Sequence, residues 1–173
     1  MRLAMAATSS ALRLKVNPVG EISGMAGTCT GNPPNCLMFN QDYRVARSAL
    51  WGLTKAHKEE LSQLQVILNE FINQAMQTDN SSVRRLSLNI VERLEMYEDD
   101  LRTDFLDFCF DHMINVEEFP GIQSVCMKLA FRMCSFYPEL MDELKRTLEA
   151  MEIDYYKPAV KCVRNRILNG KLK

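Results

Sequence analysis

The chain has 173 residues, with 21 Lys and Arg against 22 Asp and Glu for a formal net charge of −1, and 47% of it is hydrophobic. That is one ordinary domain in length, long enough to bury a real core, and the charge balance excludes a global pull toward nucleic acid or an anionic membrane. No segment has the roughly 18 consecutive apolar residues of a transmembrane helix. The six cysteines, at 29, 36, 109, 126, 134 and 162, form no CxxC pair. They read as reduced structural thiols of a cytoplasmic protein, because disulfide frameworks mostly serve much shorter secreted chains.

In chain order, the first segment is MRLAMAATSSALRLKV, Ala/Ser-rich, carrying Arg2, Arg13 and Lys15 and no acid. It is compatible with a short capping helix, a weak targeting segment or an upstream extension. Its apolar stretch is interrupted by Thr8, Ser9 and Ser10, which favours an appended helix or tail over a secretory signal. Residues 17–40 hold four of the seven glycines and three of the six prolines. No helix can run through that composition, so residues 1–40 are expected to form an extension or cap, partly irregular.

From residue 41 to 173 helix follows helix. DYRVARSALWGL from Asp42, SSVRRLSLNIVERL from Ser81 and PGIQSVCMKLAFRM from Pro120 repeat one pattern, with Val45, Val83 and Ile122 in register; a weaker fourth copy, KPAVKCVRNRIL, contains Ala159. A period near 40 residues in helix-compatible sequence is the sign of stacked helical hairpins. Each copy is expected to be the first helix of a hairpin, with Val45, Ala49, Leu53 and Ala56 on one face and Val83, Ser87, Ile90, Val91 and Leu94 on the next. The second helices are then expected over 59–77, 99–115 and 139–152, separated from the following hairpins by the punctuating stretches 78–81, 118–121 and 154–158. The predicted fold is all-α, a short right-handed α-α solenoid of about three hairpins and a terminal helix. No hairpin buries its apolar stripe until its neighbour stacks on it.

Two histidines offer little chemistry. His57 sits at a hairpin turn in KAHKEE and is expected to serve as a polar loop or C-cap residue. His112 lies one turn from Cys109, but two ligands on one helix do not complete a tetrahedral zinc site, so a hydrogen-bonded core histidine is expected and no metal. The chain has no GxSxG, P-loop or glycine-rich dinucleotide turn. With no nucleophile beside an evident base, no catalytic residue and no cofactor are expected.

Charge is the sharper signal. Asp100, Asp104, Asp107 and Asp111 follow 4, 3, 4 spacing on the second helix of the middle hairpin, and Glu139 and Glu143 occupy the same arc one repeat on. The first helices have the opposite bias: Arg44, Arg47 and Lys55, then Arg84, Arg85 and Arg93, then Lys128 and Arg132, and finally Lys161, Arg164 and Arg166. The plainer reading of both is a solvated charged face. Trp51 points away from the apolar face of its helix, where the later repeats have Asn89 and Lys128. It is expected to be covered by the N-terminal segment through Leu37, Met38 and Phe39, or else to be a contact for another chain.

With the repeats laid out, residues 41–170 resemble the HEAT-like, armadillo-type α-solenoids. The blocks YPELMDELKRTLE and KPAVKCVRNRIL in particular are similar to those of small bacterial HEAT-like proteins. The resemblance implies a protein-interaction or scaffold role, with second helices on the concave face. An acidic concave face would draw a basic or amphipathic protein segment through Asp100, Asp104, Asp107, Asp111, Glu139, Glu143 and Trp51, and would repel nucleic acid. The oligomeric state stays open. The alternatives are a nucleic-acid protein similar to the HEAT-like alkylpurine DNA glycosylases, which would need a basic groove, and a lyase of the adenylosuccinate type. The chain lacks the lyases' Gly- and Ser-rich catalytic loop and is too short for their helical bundle.

Overall fold

A computed structural model describes residues 15–16, 22–23 and 37–172. Eight α-helices follow the predicted order: α1 (Tyr43–Leu53), α2 (Lys58–Leu64), α3 (Leu68–Gln77), α4 (Ser81–Arg93), α5 (Thr103–Ile114), α6 (Pro120–Cys134), α7 (Pro138–Ala150) and α8 (Pro158–Leu168). A two-residue antiparallel ladder pairs β1 (Lys15–Val16) with β2 (Ile22–Ser23). None of the described helices is long and apolar enough to cross a membrane.

The helix starts follow from the punctuators. Asp42 caps α1 by accepting the Arg44 N–H, and Asn80 caps α4 by accepting the N–H groups of Ser82 and Val83 at 3.0 and 3.1 Å. α6, α7 and α8 start instead on Pro120, Pro138 and Pro158, whose missing N–H would be unpaired in a first turn anyway.

The repeat is a structural one. Leu50, Leu88 and Met127 stand at successive equivalent positions and are all fully buried; Leu53, Val91 and Ala130 form a second such series. Val83 and Ile122 are buried as the register requires, but Val45 is only half-buried. It lies on the first helix of the stack, against which no preceding hairpin packs among the described residues. Residues 37–39 form a 3-10 turn that packs on α1, burying Met38 and placing the Phe39 ring 5.5 Å from that of Phe71. The packed core therefore begins before residue 41.

Two second helices are interrupted where the sequence pattern ran on. The expected helix 59–77 breaks into α2, a 3-10 turn over Gln65–Ile67, and α3. Gln65 in that turn makes a reciprocal pair with the Glu95 backbone, donating to its carbonyl at 2.8 Å and accepting its N–H at 3.0 Å, while Val66 is turned into solvent. The expected helix 99–115 starts only at Thr103, because the Asp100 carboxylate accepts the Tyr97 N–H and closes a separate 3-10 turn over Glu98–Asp100. Leu101 and Arg102 are extended between the two.

The hairpin grouping also shifts by one helix. The closest antiparallel pairs are α3 with α4 and α5 with α6, joined by the short links 78–80 and 115–119, whereas α4 and α5 approach at few points. Helices α1, α4, α6 and α8 lie side by side in one closely packed layer, while α3 and α5 barely touch and α5 and α7 even less. Close packing thus belongs to the first helices, and the second helices form the open side, opposite to the expectation that they line a concave face.

Candidate functional site

Five of the first-helix cations are tied into the stack. Arg93 reaches back from α4 to the carbonyls ending α1, Thr54 at 2.7 Å and Ala56 at 2.6 Å. One repeat later Arg132 does the same from α6 to the end of α4, with both bonds, to the Glu92 and Leu94 carbonyls, at 2.8 Å. A second series runs from the start of each first helix to the end of the preceding second helix. Arg84 donates to the Ala75 and Thr78 carbonyls, and Gln123, at the equivalent place, to Asn115 at 2.7 Å. Arg164 extends the theme to Leu148 at the end of α7, at 2.6 Å, so it is not the solvated terminal residue the sequence led one to expect. Each fork meets unpaired carbonyls at the negative end of a helix dipole, where a cation is favoured. Lys128 is also engaged, with Glu92 at 2.7 Å. Desolvation on partial burial lowers the Arg132 pKa, with Glu92 and Glu95 opposing.

The acids divide into committed and free. Asp100 is the cap just described and does not lie on α5. Asp104 is held by Arg102 through two bonds, at 2.6 and 3.1 Å, and this fork keeps its carboxyl below the usual range while the third guanidinium nitrogen reaches Asn73 on α3 at 2.7 Å. Asp107, Asp111, Glu139 and Glu143 are exposed, and among the described residues none of their side chains has a hydrogen-bonding or ion-pair partner. These four remain of the six acids that the spacing grouped together.

Spacing along the helices carries both free strips to one place. On α5, Asp107, Asp111 and Ile114 follow i, i+4, i+7; on α7, Glu139, Glu143, Thr147 and Ala150 continue one line. Ile114, Thr147 and Ala150 line a groove of about 540 Å³ with Val116, Met151, Glu152, Tyr155 and Tyr156. Its floor is fixed by the Tyr156 hydroxyl, which donates to the Ile114 carbonyl at 2.6 Å across the two helix ends. Burial, with Glu152 nearby, raises that phenol's pKa. Ile114, Val116 and Tyr155 are exposed at 43%, 48% and 66%, although they are among the most apolar residues of their turns. The helical periodicity that guided the sequence reading passes over them because two of the three lie in links; isolated apolar residues between hairpins were the available signal.

Trp51 is 60% exposed, and Leu37–Phe39 pack elsewhere, so the expected cover does not come from them. His57 is an N-cap rather than a C-cap: its N–H donates to the Glu60 carboxylate at 2.7 Å at the start of α2. The half-buried His112 has its Nδ1 2.6 Å from the Glu118 carboxylate and its ring 4.1 Å from Phe108. Among the described residues no group of three or more His, Cys, Asp or Glu could hold a metal. Cys109, Cys126 and Cys134 are buried core thiols, whereas Cys162, expected among them, is exposed; Cys29 and Cys36 lie outside the described residues. Burial raises the Cys109 thiol pKa well above its usual value and, with Glu143 adding to the effect, pushes that of Cys134 up to about 11.

Stacked helical units with inter-repeat ties define an α-solenoid, a class that presents extended surface. The model of the HEAT repeat domain matches residues 34–171, and the chain belongs to that family. HEAT repeats commonly serve as protein-interaction scaffolds. No curated protein and no solved structure matches the chain.

Proposed function

We propose that the chain is a non-enzymatic protein-interaction module that receives a basic or amphipathic segment of a partner protein on the free acids of its second helices. The observation that carries this reading is the asymmetry of commitment. Arg84, Arg93, Arg132, Arg164 and Lys128 are bonded within the stack, while Asp107, Asp111, Glu139 and Glu143 face solvent on the open side. On α7 the exposed Lys145 and Arg146 stand against Glu139, Asp142, Glu143 and Glu149, so a net charge of −1 conceals an outward field that is negative along α5 and, less strongly, α7, which steers a basic partner and repels phosphate. The same commitment weakens the nucleic-acid alternative, whose support was those cations.

The test is the association kinetics of a synthetic amphipathic peptide, leucines on one face and lysines on the other, with the full chain and its D107N/D111N/E139Q/E143Q variant. The expected result is a slower on-rate with a flatter salt dependence in the variant at an unchanged melting temperature. Equal rates and equal salt dependence would sink the reading.

A further inference from the structure

We propose that the groove between the ends of α5 and α7 is the seat of the partner's apolar face, so that Ile114, Val116 and Tyr155 anchor an amphipathic basic segment whose cations lie along Asp107–Asp111 and Glu139–Glu143. This rests on the reading above and adds the place, the polarity and the anchor chemistry. Three observations converge. The two acidic lines each run, without a change of helix face, into residues that line the groove. The groove is open because α5 and α7 are not packed together, yet its floor is held by the Tyr156 bond to Ile114. Its volume, about 540 Å³, lies in the range of clefts that receive ligands.

Charge complementarity selects the occupant. Glu152 lies in the lining and Glu117 and Asp154 stand in the flanking turns, all exposed, and with Asp111 and Glu143 they outnumber the exposed Arg146 and Lys157 beside the groove, so an acidic or phosphorylated segment is disfavoured. A purely apolar segment would leave the free carboxylates unanswered. A helix with apolar residues at i, i+3, i+4 and i+7 and lysines or arginines on its flanks satisfies both demands.

The same leucine–lysine peptide, fluorescently labelled, is titrated into the full chain and into I114Q/V116Q. Both residues are surface-exposed, so far-UV circular dichroism and the melting temperature should match wild type. The expected result is binding weakened about tenfold or more in the variant, mainly through faster dissociation, because truncating central anchors is what removes most affinity at an interface. Unchanged binding in I114Q/V116Q beside loss in the four-acid variant would overturn the groove while leaving the acidic reading intact. Binding insensitive to the acids would reject that reading itself. Should the variant fold poorly, Y155A gives the same comparison at another wall of the groove. If substituting Arg2, Arg13 and Lys15 together by Glu raises the peptide's affinity tenfold, the groove belongs to the chain's own first segment. If I114Q/V116Q dissolves a dimer seen by light scattering, it belongs to a second copy. Either result would overturn the assignment to a separate partner.

Discussion

At the scale of single residues, the arginines at the helix ends are structural ties. Arg132 satisfies two carbonyls of α4 with one planar fork, and lysine cannot reproduce both bonds. Arg132→Ala should therefore destabilise the fold by about 1–3 kcal/mol, the range for losing charged hydrogen bonds to half-buried carbonyls. Arg132→Lys should recover part of that loss, and Arg47→Ala, on an exposed side chain, should lie within about 0.5 kcal/mol of wild type. Denaturant midpoints at constant slope measure all three, and equal midpoints for Arg132→Ala and wild type would refute the tie. The thiols offer an independent check on burial. Reactivity follows the thiolate, and with the Cys134 thiol pushed up to about 11 its thiolate is scarce at pH 8 and increases only as the pH nears that value. Peptide mapping after brief maleimide treatment at pH 8 should find Cys162 labelled and Cys109, Cys126 and Cys134 intact. Raising the pH toward 11 in the folded state should increase labelling at Cys134 before Cys109.

At the scale of elements, helix existence was legible and helix ends were less so. Apolar residues recurring on one arc place α1, α4 and α6 because those helices bury one face against neighbours, and Asn80 starts α4 and the three prolines start α6, α7 and α8 as local chemistry requires. The break at Asp100–Arg102 rests on a local bond, Asp100 to the N–H three residues before it, which the continuing helical periodicity hid. The one at Gln65–Ile67 was not legible, since it depends on a side chain meeting a backbone 30 residues away that only folding brings near. The ties follow the same logic: Arg93 and Arg132 recur 39 residues apart in the sequence, but their targets lie 37 to 40 residues away and look like ordinary loop carbonyls until the stack forms. Asn80→Ala removes an acceptor from two N–H groups and should cost about 1 kcal/mol. Gly121→Ala tests a close approach of two elements. A Cβ there would stand 3.1 Å from Cδ of Arg85, the stem of an exposed side chain that can move by the few tenths of an ångström needed. The change should be neutral or stabilise by up to about 1 kcal/mol through helix propensity; a loss beyond that would mean Arg85 is held in place.

At the scale of the whole molecule, the distribution of commitments decides what the stack can bind. Duplex DNA needs several cations free to displace counterions from phosphates, and affinity falls with salt by a logarithmic slope of about 0.9 per contact. Five of the eleven first-helix cations that would supply such contacts, Arg84, Arg93, Lys128, Arg132 and Arg164, already hold carbonyls or Glu92. Of the others, the exposed Arg85 and Arg166 stand singly on their helices, and the largest exposed group is on the outer face of α1 and the turn after it, where Arg44, Arg47 and Lys55 accompany Trp51. About three contacts from that face imply a slope near 3 and non-specific affinity too weak to detect at physiological salt. A gel shift at micromolar protein should therefore show nothing in physiological salt. Any complex appearing at low salt should vanish in R44A/R47A and survive the four-acid substitution on α5 and α7. A shift that persists at physiological salt, or one that strengthens when Asp107, Asp111, Glu139 and Glu143 are neutralised while R44A/R47A leaves it intact, would place phosphate on the second-helix layer. The acidic face could then no longer be what selects the partner.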